Sequence, residues 1–301
     1  SLMQSLDSDS WIILKPEEKS IHEKIEKAGK PLKDWDVNIY RGVLTGYNEA
    51  FIIDGSTKDE LIRQDPKSAE IIKPILRGRD IQRYKAEFAD LWLINTHNGY
   101  VKSDGVRIPA VDVSKYSAIK AHLDTHWDKI EPRCDQGNTP YNLRHCAYVE
   151  KFEKEKIIYQ EMVQKSEFLY DVDGMFCNDT GRIITGADLK YLLSFFNSAL
   201  FFFAIKNYYG GGALGATGVR MKHTFFENCP VIVPNEVQKK IFEDKVNIII
   251  SNNNQSKDTI IEEHEIDLLV YKLYGLSYSE VLVVDPDFWM NEEEYEGVEV
   301  L

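Results

Sequence analysis

The longest apolar run in the chain, residues 191–205, most narrows what it can fold into. Ser194, Asn197 and Ser198 interrupt it, and it falls short of the ~20 apolar residues that a bilayer-spanning helix needs. Leu189, Leu192, Leu193, Phe196, Leu200 and Phe203 instead recur at helical spacing, which predicts a core helix over 189–208 with a broad apolar face. Thr185 and Asp188 are placed to cap its start. Such a helix must be covered by other elements. With 301 residues, 43% of them apolar, the chain can supply them as one large domain or two modest ones.

Those other elements are legible as patterns. Ile21, Ile25 and Ala28, between Pro16 and Gly29, predict a short amphipathic helix over 17–28. Residues 37–53 read as strand, turn, strand, and two short helical turns at 58–63 and 68–72 flank Pro66. A strand is predicted over 88–95, and a helix over 117–130 by Ile119, Leu123, Trp127 and Ile130, ending before Pro132. Further strands are expected at 156–160, 167–170, 182–185 and 229–234. Helices over 237–250 and 259–274 are expected to pair as a hairpin, through Ile241, Phe242, Val246 and Ile249 against Ile261, Leu268 and Leu273. Gly275 closes the second, and Ser277 with Glu280 forms a capping box for a short third helix. The acidic tail from Asn291 is expected to be mobile.

Four cysteines, none in a CxxC pair, read as free thiols of a reducing compartment, so a cytoplasmic location is expected. The opening SLMQSLDSDS reads as a cut end rather than a signal peptide. His122, His126, Cys134, His145 and Cys146 could be assembled into a zinc site, but without tight cysteine pairs they read as ordinary helix and loop residues, and no metal is expected.

Charge is uneven. The formal charge is −13, yet residues 236–301 alone hold 16 acids against 5 bases, so an anion-binding face on the earlier part is compatible with the acidic total. Lys73, Arg77, Arg79, Arg83 and Lys85 lie within thirteen residues, with Asp80 the one acid among them. This segment suits a phosphate- and base-contacting surface; a solvated face is the blander alternative, and at least one arginine is expected to pair with Asp80 or Asp90. Arginine's planar fork can bond two acceptors at once, on a guanine edge or a phosphate. Before it, Thr45 and Asn48 offer groups able to reach a base edge or a phosphate, although Gly46 and Asn48 could equally shape a hairpin. Beyond it, RCDQGNTPYNLRHC carries Arg133, Asn138, Tyr141, Asn142 and Arg144 on a loop, a mixture suited to recognition and also to an ordinary surface turn. A glycine loop including Gly211, flanked by Tyr208, Tyr209, Arg220 and Lys222, could lie along a sugar-phosphate backbone or be a loose connection.

Catalytic motifs are missing. There is no HExxH, no Walker motif and no nucleophile elbow, and Glu17-Glu18-Lys19 matches a nuclease pattern only in letters. NTPY, at 138–141, lacks the first proline of the amino-methyltransferase signature, and the formal GxGxxG at 210–215 follows a helix rather than joining a strand to one.

The phrases RGVLTGYNEAFIID, PILRGRDIQRY, LWLI, RCDQGNTPYNLRHC, KFEKEKIIYQEM, YLLSFFNSAL and EIDLLVYKLYGLSYSEV stand here in that order. In wording and order the chain resembles, over roughly residues 11–285, the C-terminal specificity domain of TaqI-like adenine-specific DNA methyltransferases and type IIG restriction-modification enzymes. The resemblance implies an α+β fold, a mixed-sheet target-recognition domain with peripheral helices followed by a C-terminal helical hairpin. It divides the chain into a connecting segment (1–30), a DNA target-recognition domain (31–235), a helical subdomain (236–285) and the acidic tail (286–301). The implied function is sequence-specific recognition of double-stranded DNA by a chain that is not itself an enzyme. Thr45, Asn48, Lys73, Arg77, Arg79, Arg83, Arg133, Asn138, Tyr141, Arg144, Gly211, Arg220 and Lys222 are the expected DNA contacts. S-adenosylmethionine, and Mg if cleavage occurs, would belong to a methyltransferase or nuclease domain elsewhere in the polypeptide, and no membrane partner is expected. An independent nuclease or transferase, or a protein-interaction module built on the C-terminal helices, are the alternatives.

Overall fold

A strand forms over Lys156–Gln160, as its pattern predicts, and it lies in the interior. In the computed structural model, which describes residues 15–210, 213–214 and 218–299, it is the second of four antiparallel strands, ordered Phe168–Asp171, Lys156–Gln160, Gly181–Gly186 and Val37–Arg41. Successive side chains of a strand face opposite sides. Here Ile157, Tyr159, Phe168 and Ile184 enter one apolar core, while Ile158, Leu169 and Ile183 enter a second. Neither face meets water, which is why the strand reads KIIYQ with no polar alternation. The sheet is a partition between two cores, and the fold is α+β.

Over the first face lie the long apolar segment and the helices Pro16–Ala28, Glu236–Asn254, Ile260–Leu273 and Tyr278–Val284. The single helix expected over 189–208 is broken. It runs as Leu189–Phe196 and then Ala199–Ala204, continued by a π-helical turn Ile205–Tyr209, with a bend of 65° at the break. The two polar residues at the break cause it. Asn197 clasps the backbone of Phe168, accepting from its N–H at 3.0 Å and donating to its carbonyl at 2.9 Å, and the Ser198 hydroxyl caps the second helix by accepting from the Phe201 N–H. Leu192, Leu193, Phe196, Leu200 and Phe201 are fully buried, each contributing about 1.5–3 kcal/mol of burial. Asp188 does not cap through its side chain; it sits in left-handed backbone and pairs with Lys239. Among the described residues no single helix is long and apolar enough to cross a membrane.

The C-terminal helices belong to this same core, which continues across residue 235. Phe242, Val246 and Ile249 of the first helix and Ile266, Val270 and Tyr271 of the second are buried in it, with the Phe242 ring edge-on to Tyr191, whereas Ile261 is 69% exposed. The second helix is turned so that one flank also meets Ala199, whose N–H donates to Asp267 at 2.7 Å. The acidic tail is folded over 291–299. Asn291 caps a helix, Glu292–Glu296, and Tyr295 is fully buried, donating to the Leu276 carbonyl at 2.8 Å beneath the Lys272 ammonium.

On the second face sits a mixed sheet ordered Phe176–Cys177, Ile72–Leu76, Leu91–Ile94 and Ile52–Asp54, covered by the helices Gly55–Gln64 and Ser117–Asp124. Both strands expected within 37–53 form, as Val37–Arg41 and Ile52–Asp54, but they do not pair as a hairpin. They belong to different sheets, and a helical turn, Asn48–Phe51, lies between them. Gly42 is the crossing point: its N–H donates to Gly181 at 2.9 Å, and a Cβ there would lie 1.8 Å from the Asn178 carbonyl oxygen. The close approach this glycine permits is to the chain's own backbone. The helix expected over 117–130 pauses at Thr125 and His126 before resuming as Trp127–Ile130.

Candidate nucleic-acid interface

The register of the central sheet gathers one set of chain ends. Arg41 pairs with Arg182, Gln160 with Gly181 and Tyr159 with Phe168, so the segments 42–51, 161–167 and 178–180 all emerge at the same end. Gly78 packs the turn Gly78–Asp80 onto Gln160, since a Cβ there would stand 2.7 Å from the Gln160 amide carbon. The strand Gly218–Arg220 joins by pairing with Met162–Val163. Thr45 and Asn48, Arg79 and Arg220 therefore lie on segments that emerge at this end or pack against those that do, whereas Lys73 pairs with Glu153 toward the Lys156 end of the sheet.

The basic segment does not act there as a free patch of charge. Arg77 makes a two-pronged contact with Asp80, at 2.9 and 2.8 Å, and Asp80 also accepts from the Arg77 backbone N–H. Burial works against the Asp80 charge, but these bonds outweigh it and hold its carboxyl below the usual range. Lys73 pairs with Glu153 at 3.0 Å. Arg83 turns inward to Glu263 at 2.6 Å and Asp267 at 3.7 Å, joining this segment to the C-terminal helices. Arg79 and Lys85 remain exposed, and neither side chain has an ion-pair partner among the described residues. Three of the five cations are thus engaged internally, with Glu153 and Glu263 far along the chain.

The loop over 133–146 is organised by its own first candidate. Arg133 is only 6% exposed, and its guanidinium donates to the carbonyls of Thr45, Asp135 at 2.9 Å, Pro140 at 2.8 Å and Asn142 at 2.5 Å, lying 4.3 Å above the Phe51 ring. Burial lowers its pKa to about 10. Arg133 is thus a scaffold for the loop and not a surface contact, which corrects its expected role. Thr45 is likewise interior, its hydroxyl donating to Asn48 at 2.5 Å. Asn142 is buried, donating to the Val111 carbonyl at 2.9 Å. Tyr141 is half-buried against Trp127, with its hydroxyl on Asp124 at 2.6 Å. What this scaffold presents to solvent is Asn48, Asn138 and Arg144, the last paired with Asp135 at 2.9 Å but 57% exposed. Lys222 is half-exposed near Phe225, and Gly211 lies outside the described residues.

Three residues at this end escaped sequence reasoning. Arg41 and Arg182 are cross-strand partners, and Glu161 accepts from Arg182 and, at 2.6 Å, from Arg220 Nε. The available signal was a cation within an otherwise apolar strand, as in GRIITG, which calls for a partner. His122 bonds the Ala50 carbonyl at 3.0 Å, and among the described residues no group of three His, Cys, Asp or Glu side chains is placed to hold a metal. The glycine stretch after residue 209 follows a π-helical turn and precedes a strand, the reverse of the strand-to-helix order by which glycine loops cradle a nucleotide cofactor.

The model of the TaqI-like C-terminal specificity domain matches residues 73–231. Among solved structures, the chain is similar to the type IIL restriction-modification enzyme MmeI, solved in complex with DNA, with a TM-score of 0.62 and 12% identity over 89% of this chain and 37% of MmeI. The type IIG restriction endonuclease BpuSI is matched with a TM-score of 0.49 and 12% identity over 92% of this chain and 34% of that one. The likeness to MmeI is one of fold, and the chain spans 37% of that enzyme's length. No curated protein matches the chain.

Proposed function

This chain belongs to the family of TaqI-like C-terminal specificity domains, and from that premise we propose that it is the sequence-reading part of a restriction-modification polypeptide, gripping duplex DNA at the loop-bearing end of its central sheet. The observation that carries this reading is the Arg133 scaffold. It locks residues 133–146 to residues 45–48 and leaves Asn48, Asn138 and Arg144 on a rigid, exposed platform. Amide and guanidinium groups are suited to this work, since asparagine pairs with an adenine edge and arginine with a guanine edge. Arg79, Arg220 and Lys222 lie on neighbouring segments and would set the register through phosphates. Methyl transfer to adenine, with S-adenosylmethionine, and any Mg-dependent cleavage would reside in other domains of the polypeptide.

Selection of bound sequences from random duplexes tests the reading, with the whole polypeptide and with this chain. Enrichment at fixed positions is expected, relaxed at one position by Asn48→Ala and at another by Arg144→Ala. Flat selection at every position would refute it.

A further inference from the structure

At the loop-bearing end of the central sheet, one nearly buried carboxylate is shared between two arginines of different segments. Glu161 is 7% exposed; one oxygen takes Arg182 and the other takes Arg220 through Nε at 2.6 Å. The two arginines differ. Arg182 is interior, with an 11% exposed side chain, and its Nη1 also donates to the carbonyls of Asp179 and Gly181, both at 3.0 Å. Arg220 is 51% exposed, and its two terminal Nη groups have no partner among the described residues.

We propose that Glu161 is a positioning residue that aims Arg220 at a backbone phosphate of the bound DNA, an assignment that rests on the DNA-recognition reading above. Arg182 cancels the charge of Glu161, so the carboxylate fixes the direction of Arg220 without neutralising it. Holding Arg220 by Nε leaves the Nη pair outward, the edge that bonds two phosphate oxygens at once. A long side chain held in its binding rotamer loses less freedom when the ligand arrives. Arg41 stands beside the group as the cross-strand partner of Arg182, 47% exposed and only loosely held by Asp179 at 3.6 Å. The ion pair is not needed to hold the segment in place, because Met162 and Val163 pair with Arg220 and Val219 through the backbone, and the Met221 N–H donates to the Glu161 carbonyl at 2.6 Å. Burial works against the Glu161 charge, but the Arg220 bond and the Arg182 charge outweigh it and keep the carboxyl below its usual range.

The test is DNA affinity as a function of salt, measured on the full chain with thermal melting as the fold control. Removing a negative charge near a polyanion should by simple attraction tighten binding; the positioning role reverses that sign. Glu161→Gln is expected to weaken binding about fivefold, on the order of the cost of one unrestrained side chain. Arg220→Ala is expected to weaken it about tenfold and to reduce the salt slope by about 1. The double variant should bind like Arg220→Ala alone, because both changes remove one interaction. Arg220→Lys keeps the charge but not the fork, and should lose nearly as much as Arg220→Ala. Unchanged or tighter binding by Glu161→Gln, additive losses in the double variant, or full affinity in Arg220→Lys would each overturn the assignment. If Glu161→Gln does not fold, the lysine variant decides. Wild-type chain without salt-dependent affinity for DNA would overturn the recognition reading itself, whereas wild-type binding with an additive double variant removes only the role of Glu161.

Discussion

The two ends of the central sheet use the same kind of ion pair to opposite effect. At one end Lys156 and Asp171 are sealed, with side chains 0% and 4% exposed, and the ammonium also donates to the carbonyls of Phe152 at 2.5 Å and Lys154 at 3.2 Å. All three of its donors are engaged inside the protein. Burial pushes the Lys156 ammonium down, although Asp171 pulls the other way. At the other end Arg220 meets a carboxylate by one nitrogen and keeps two outward. The contrast teaches that a cation's sign says little about its use. What matters is how many of its donors the protein has already engaged.

Breaking the sealed pair should have the largest effect. Lys156→Met leaves Asp171 buried without its cation, and about 3–5 kcal/mol of stability should be lost in denaturant unfolding; a loss under about 1 kcal/mol would erase the contrast between the two ends. Arg133→Ala is the same test on a cation held by carbonyls. It should cost roughly 2–4 kcal/mol by leaving buried acceptors unpaired, and it should speed hydrogen exchange at the Gly137 and Leu143 amides, which bond within and beneath the loop. Unchanged exchange would mean that the loop is held by something else.

Arg83 gives an intermediate case, a cation of the basic segment turned toward a helix. Burial pushes its partner Asp267 up to about 6, although the Arg83 charge opposes this. A carboxyl that holds its proton more tightly folded than unfolded contributes stability below its unfolded value near 4, and that contribution is lost as pH rises through 6. Asp267→Asn should therefore gain on the wild type by on the order of 2 kcal/mol between pH 4.5 and 7. Parallel stability curves for the two proteins would show that the carboxyl is not perturbed. Arg79→Ala marks the small extreme. Stability should stay within about 0.5 kcal/mol, while the salt slope of DNA binding falls by about 1. A destabilised Arg79→Ala would place this arginine with the sealed cations.

Legibility differs between local pattern and distant partner. The strand Lys156–Gln160 and the helix Tyr278–Val284 illustrate the first kind: the strand's bounds follow from its residues, and the Ser277–Glu280 capping box is present with its bonds at 3.4 and 2.6 Å. The break at Asn197 was visible as two polar residues in an apolar run, but its cause was not, because Phe168 supplies it from another strand. Tyr295 was the overlooked signal in the acidic tail, an aromatic that needs a place to be buried. For the candidate interface, the types of residue were readable and their availability was not. Arg79 and Arg83 look alike in RGRDIQRY, yet one is exposed and the other is bound to Glu263 and Asp267.

By itself the sequence determined the fold class and the locally written elements, such as the strand Lys156–Gln160 and the helix Tyr278–Val284, because periodicity and caps act over a few residues and are written where they act. Its ordered phrases also carried the family. Only the tertiary structure decided which charges are closed and which are open. That choice depends on carboxylates and carbonyls brought in from remote segments by a sheet buried on both faces, and no stretch of neighbouring residues contains them.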